Sequence, residues 1–286
     1  MKELIRKILI IGFINRYLVQ SFIHLKGLFN FKYLSRLPVI GTFTFKNCNG
    51  ISYKLSANGY DPIANEVYWT QGNGPDSDMV NFLYKYGKKI ETCIDIGANI
   101  GFISIHMNLL PSVKKVYSFE PLPEAFVSLQ NNIELNSFKN CYIYKTAVGK
   151  EVGTASFFVP NVKAIPSSSS LDSNFYKDNQ EMTVNITTLD YFTEEEKIKK
   201  IDIVKIDVEG KEIDVLMGMI NILTNHRPLI FCEILKKSLL EEIYAFINNF
   251  NYYIYQMKNS DILFIKNLTN FEINCEHNFI LSPKLL

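Results

Sequence analysis

From residue 90 onward, short apolar runs rich in β-branched and aromatic residues alternate with longer stretches of helical period. The runs Thr92–Ile96, Lys115–Glu120, Cys141–Thr146, Ile201–Ile206 and Leu229–Glu233 predict strands, because brief near-continuous apolar runs suit strands covered on both faces. Between or after them, residues 100–109, 122–136, 211–224 and 237–249 predict helices. Such alternation predicts an α/β fold, a parallel sheet with helices on both faces. Farther along, Tyr252–Met257 and Asp261–Ile265 are separated only by Lys258-Asn259-Ser260, too little chain for a crossover, so they predict an antiparallel hairpin. Ala155–Val159 and Thr183–Thr187 predict two more strands around the loop Ser167–Ser170.

The pattern divides the chain into an N-terminal extension (1–36), a small cap (37–89), the α/β domain (90–266) and a C-terminal tail (267–286). Asn58-Gly59 and Gly72-Asn73-Gly74-Pro75 mark turns within the cap. The extension changes the picture through its charge. It holds Lys2, Arg6, Lys7, Arg16, Lys26, Lys32 and Arg36 against Glu3 alone, although the whole chain carries a net charge of only +1. Its apolar run, Ile8–Ile14, stops well short of the roughly 20 residues that span a bilayer. An Ala-x-Ala-like cleavage site is missing, which argues against a signal peptide. Residues 2–30 therefore suit an amphipathic helix resting peripherally on the inner face of a membrane, or a helix packed on the domain or on a second subunit in a homodimer.

Balanced charge argues against nucleic acid as partner. Five scattered cysteines without a Cys-x-x-Cys pair suit free thiols in a cytoplasmic protein. No His/Cys grouping has metal-ligand spacing, and the sequence demands no metal.

The sharpest chemical signal is Asp95-Ile96-Gly97-Ala98-Asn99-Ile100-Gly101, where a buried strand gives way to a helix. Glycines there let a ligand approach the main chain, and free amides at a helix start favour an anion. The Gly-x-x-x-Gly spacing is not the Gly-x-Gly-x-x-Gly of dinucleotide sites. Glu120 ends the next strand, where an acid accepts hydrogen bonds from ribose hydroxyls. Asp95, ahead of the glycines, suits an ammonium group. An α-amino acid joined to a nucleoside satisfies all three, and S-adenosylmethionine is such a ligand. Downstream, Lys205 and Asp207 share one face of a strand, since the side-chain period is two, and emerge toward the carboxyl edge where ligands of open α/β sheets bind. They read either as catalytic groups or as an ion pair of Lys205 with Asp207 or Asp95. Glu209 lies one step farther into the loop, within reach of substrate. Glu212 reads as a first-turn helix acid, Glu233 as either an acceptor contact or a solvated strand end, and His106 and His226 as structural.

These residues resemble the FkbM-type branch of class I methyltransferases over roughly residues 91–235. The resemblance rests on Asp95–Gly101, on Phe119-Glu120-Pro121-x-Pro123 with Phe126, Leu129, Asn132 and Asn136, on Thr146-Ala147-Val148-Gly149, on Thr188-Leu189-Asp190, and on Lys205-Ile206-Asp207-Val208-Glu209-Gly210-x-Glu212. It implies a Rossmann-like three-layer sandwich whose mostly parallel seven-stranded sheet has an antiparallel last strand. It also implies an O-methyltransferase that uses S-adenosylmethionine on a hydroxyl of a carbohydrate, such as a surface-glycan sugar in polysaccharide biosynthesis, or of a secondary metabolite. The alternatives are an N-methyltransferase of a small molecule and a non-catalytic binding module. The expected cofactor contacts are Asp95, Gly97, Ala98, Asn99, Gly101, Glu120, Pro121, Ala147 and Asp207, with Ala147 near the adenine. The expected catalytic residues are Lys205, Asp207 and Glu209.

Overall fold

The structure, a computed structural model, describes residues 38–59, 61–160, 179–258, 261–268, 271 and 277–286. The expectations for residues 1–36 and for the loop Ser167–Ser170 lie outside these residues. Among the described residues, no helix is long and apolar enough to cross a membrane.

The described residues open with an antiparallel hairpin, β1 (Ile40–Lys46) and β2 (Ser52–Asn58), followed by α1 (Pro62–Trp69) and α2 (Ser77–Tyr86). Asp61 caps α1 by accepting from the Ala64 amide, with Pro62 ready-shaped for the first turn. Strand β3 (Thr92–Ile96) then leads into α3 (Phe102–Asn108), β4 (Lys115–Phe119) into α4 (Pro123–Leu135), and β5 (Cys141–Tyr144) follows. Later come α5 (Leu189–Glu195), β9 (Ile203–Ile206), α6 (Glu212–Met217), β10 (Leu229–Glu233), α7 (Lys237–Asn248), the hairpin β11 (Tyr253–Lys258) and β12 (Asp261–Phe264), and β13 (Asn278–Ser282). The main sheet runs β12-β11-β13-β10-β9-β3-β4-β5. Strands β5, β4, β3, β9 and β10 are parallel, and β13 lies antiparallel to both β10 and β11.

The residues alternate between two cores, as a strand period of two requires. Cys93, Val116, Ile203, Phe231 and Ile280 face one core, with the hairpin, α1, α2 and α3. Ile94, Tyr117, Val204, Ile230 and Leu281 face the other, with α5, α6 and α7. The result is a three-layer α/β/α arrangement.

Three sequence expectations are adjusted. The hairpin at 252–265 is antiparallel as expected, with Met257 opposite Ile262, but the antiparallel seventh strand of the sheet is β13. Residues 267–286, expected as a tail, thus supply an inner strand, and β12 is an added edge. The strands of the excursion, β7 (Gly153–Pro160) and β8 (Asn179–Thr187), pair antiparallel but join β6 (Ala147–Val148) in a separate three-stranded sheet. The continuous helix expected over 211–224 breaks after Met217, and a π-helical turn follows at Ile222–His226. Gly218 there passes so close to the Gly149 carbonyl that a Cβ would lie 2.1 Å from its oxygen. Asp190 accepts from the amides of Asn221 (2.9 Å) and Ile222 (3.1 Å), so it fastens the restarted segment.

The hairpin is docked by two asparagines, Asn132 on α4 and Asn136 at its C-terminal cap. Asn132 accepts from the Ser56 amide at 2.8 Å and donates to the Ile100 carbonyl. Asn136 accepts from the Lys54 amide and donates to its carbonyl, both at 2.8 Å. An amide side chain has both donor and acceptor, so each can satisfy the free edge of β2.

Candidate active site

The carboxyl ends of β3, β4 and β9 surround a cleft that is partly open to solvent. Gly97, Asn99, Glu120, Pro121, Thr146, Ala147, Val148, Phe157, Asp207 and Glu209 line it.

Gly97 has φ +73°, and a Cβ on it would lie 1.8 Å from the carbonyl oxygen of Asp207. The loop after β3 therefore lies directly against the end of β9, which only glycine permits. Gly101, with φ +87°, starts α3 tight against Leu129. The amides of this loop are not waiting for an anion as the sequence suggested. Those of Gly97 and Ala98 donate to the Phe119 carbonyl, Gly101 donates to Ala98, and Asn99 donates to Glu120 Oε2 at 2.8 Å. Ala98 and Gly101 shape the loop without lining the cleft.

Glu120 is buried and faces the cleft. Its second oxygen accepts from the Leu122 amide at 2.9 Å. Burial pushes its carboxyl up to about 7 despite those two hydrogen bonds. A carboxylate has about four acceptor positions, so two remain for a pair of ligand hydroxyls.

Asp95 is fully buried and absent from the cleft lining, so the expected ammonium contact gives way to a structural one. Ser104 Oγ donates to it at 2.5 Å, and Lys205 Nζ lies 3.6 Å away. Lys205 also donates to Asp207 Oδ2 at 3.0 Å and to the Gly97 carbonyl at 2.8 Å. Both ion pairs that the sequence left open are thus made at once. Burial works against the lysine's charge, but Asp207, Asp95 and Asp76 outweigh it and raise its pKa. Lys205 ties β3 to β9 and does not line the main cleft.

Asp207 borders the cleft and also a second, smaller cavity, about 10 Å³ in volume, at the ends of β9, β10, β11 and β13. Asp76, just before α2, and Glu233, at the end of β10, enter that second cavity. One carboxylate oxygen from each of Asp207, Glu209 and Glu233 lies within 4.8 Å of the others, a grouping able to hold a hard cation. Burial, reinforced by Asp207, drives Glu233 up to about 9 and Glu209 to about 8. Glu212 closes the loop from within, accepting from the Gly210 amide at 2.9 Å, which agrees with its structural assignment. His106 is buried, with the Tyr84 hydroxyl 3.0 Å from its Nδ1, and lines neither cavity.

Sequence reasoning missed Asp76 and Phe157. Asp76 follows Pro75 ahead of a helix, a position whose ordinary use is capping. Phe157 reaches the cleft from a sheet whose placement no local pattern reveals.

Residues 95–254, more than half of the chain, match the family described as the methyltransferase FkbM domain. Methyltransferase 1 of Beauveria bassiana is 28% identical over 144 residues, covering 44% of this chain and 57% of that protein. The hexuronic acid methyltransferase AglP of Haloferax volcanii is 27% identical over 150 residues, covering 52% and 58%. The match thus spans less than two thirds of either relative. A crystal structure of methyltransferase FkbM from Methylobacillus flagellatus superposes with a TM-score of 0.48 at 15% identity, covering 77% of this chain and 54% of that one.

Proposed function

The chain belongs to the methyltransferase FkbM family, and from that premise we propose that it is an S-adenosylmethionine-dependent O-methyltransferase acting on a carbohydrate hydroxyl. The observation that carries this reading is the position of Asp207, a carboxylate shared by the Glu120 cleft and the second cavity. The residues present fit the cofactor. Glu120 has acceptor capacity left for a ribose diol, Ala147 leaves room for a flat ring, and Phe157 supplies an apolar wall.

When bound, S-adenosylmethionine supplies an activated methyl group on a sulfonium. The protein's tasks are to hold the acceptor in line and to take up its hydroxyl proton. Positioning of this kind contributes roughly 7–11 kcal/mol, and a general base about 10²–10⁴-fold in rate. Asp207, oriented by Lys205, is the residue placed to accept the proton. Glu209 and Glu233, whose carboxyls burial pushes up to about 8 and about 9, stand beside it. Lys205 acts through Asp207 and Gly97, as a positioning residue. A sugar as acceptor agrees with the name of the Haloferax relative.

Calorimetric titration with S-adenosylhomocysteine tests the cofactor class. Micromolar binding is expected, weakened at least tenfold in Glu120→Gln, with no response to NAD. A folded protein that ignores S-adenosylhomocysteine overturns the proposal.

A further inference from the structure

We infer that a third cavity, at the edge of the sheet opposite the Glu120 cleft, is a binding site for an amphiphile with an anionic head and a long alkyl chain, the chemistry of a fatty acid. The cavity holds about 600 Å³, within the roughly 300–1,000 Å³ of small-molecule sites. Ile203 and Leu229 enter it from the first residues of β9 and β10, and Ser282 from the last residue of antiparallel β13. These are the amino ends of the parallel strands, whereas Glu120 and Asp207 follow the carboxyl ends. A strand rises about 3.3 Å per residue, so Ile203 and Asp207 stand on the order of 13 Å apart. A ligand held here is therefore not the group that receives the methyl.

Two features set the chemistry of that ligand. One is the apolar wall, to which Phe82 and Leu83 of α2 add buried carbon. Tyr86, Leu285 and Leu286 line the same space and are exposed. Apolar surface gathered in this way is unfavourable to wet, and an alkyl chain that displaces the water gains in proportion to the area covered.

The other is Arg227, in the same wall. Its guanidinium is held in place by neutral groups. Nη1 donates to the Phe250 carbonyl at 2.9 Å, Nη2 donates to those of Asn251 (3.2 Å) and Pro283 (3.3 Å), and the Tyr252 ring centre lies 5.3 Å from Cζ. A guanidinium has five N–H donors, so two remain. Among the described residues, no carboxylate comes within ion-pair distance of it. Arg227 is thus a fixed cation without a counter-ion beside an apolar space, and a carboxylate at the head of an alkyl chain suits both. Lys284 lines the cavity as well, and the exposed Lys88 and Lys89 follow Gly87 of its lining. Among the described residues, Asp202 is the acid of that lining, and its Oδ2 already accepts from the Glu91 and Thr92 amides at 2.8 and 3.1 Å. The balance of charge around the space therefore favours an anion.

The test titrates the full chain, freed of lipid on a hydrophobic resin, with monomeric decanoate in a calorimeter. Decanol and decylammonium are the uncharged and cationic controls, and octanoate and dodecanoate vary the chain length. The expected result is one saturable site for decanoate, at least tenfold tighter than for decanol, with affinity rising roughly tenfold for each added pair of methylenes. Arg227→Gln should abolish the preference for the anion. Ile262→Trp, which fills the space from edge strand β12, should weaken decanoate at least tenfold and keeps the test decisive if the first variant misfolds. Both variants should bind S-adenosylhomocysteine like the native chain, because its cleft lies at the other edge of the sheet. Decanol or decylammonium bound as tightly as decanoate overturns the inference. An absence of saturable binding also overturns it, whether residues 1–36, a second copy or water take the space. Adsorption to phosphatidylglycerol vesicles without a site for monomeric decanoate would overturn it in favour of a membrane surface. None of these readouts needs methyl transfer, so they stand or fall apart from the function proposed above.

Discussion

Replacing Lys205 by Met separates a structural tie from a chemical role. The side chain is 8% exposed and neutralises Asp95, whose side chain is 0% exposed. Deleting one member of such a buried pair costs about 3–5 kcal/mol, because the remaining charge has lost its partner. At roughly 2–4 °C per kcal/mol for a protein of 150–250 residues, the melting temperature should fall by about 6–20 °C. The penalty has a pH signature. Burial raises the Asp95 carboxyl above its ordinary value, and without the lysine nothing comparable pulls it back. A carboxyl raised in the folded state contributes stability below its unfolded pKa and loses it as pH rises through the folded one. The deficit of Lys205→Met should therefore shrink toward pH 4 and be full above neutrality. Adding Asp95→Asn should restore more than half of it, since the amide needs no counter-charge. Urea unfolding of the two single variants and the double variant at pH 4.5 and 7.5 measures all three quantities. A loss below about 1 kcal/mol with a hundredfold fall in turnover would refute the reasoning and make Lys205 a group that acts on substrate.

Two further outcomes follow from the geometry. Gly97→Ala should weaken S-adenosylhomocysteine binding at least tenfold in calorimetry, because the added Cβ meets backbone of β9 and the left-handed conformation costs roughly 1–2 kcal/mol besides; unchanged affinity would show that the two strand ends are free to part. Burial holds the His106 pKa near 3, so the unfolded chain takes up a proton that the folded one refuses, and stability should fall as pH drops from about 7 toward 3; chemical denaturation of His106→Phe should show a shallower acid slope, and equal slopes would overturn this account.

What the sequence conveyed follows the range of the interactions. Thr92–Ile96 and Leu229–Glu233 match the observed strands to the residue, since local apolar runs decide them. The period of two brought Lys205 and Asp207 to one side, and their 3.0 Å contact bears that out. Glu120 was recognisable because its distance along the chain is set by one βα unit. The second cavity was not, because Asp76, Asp207, Glu233 and Asn278 come from four distant segments that only the closed sheet brings together. Asn278–Ser282 has an ordinary strand composition. Its place between β10 and β11 depends on partners selected in three dimensions.

That inner position makes β13 the strand that joins two parts of the sheet. Strands β10 and β11 are not paired with each other, and only residues 278–282 between them make the sheet continuous. A nascent chain lacking this stretch carries two exposed ladders at the centre of the sheet, a natural seed for aggregation. Removal of these few residues should therefore divide the sheet, however intact the cofactor loop remains in sequence.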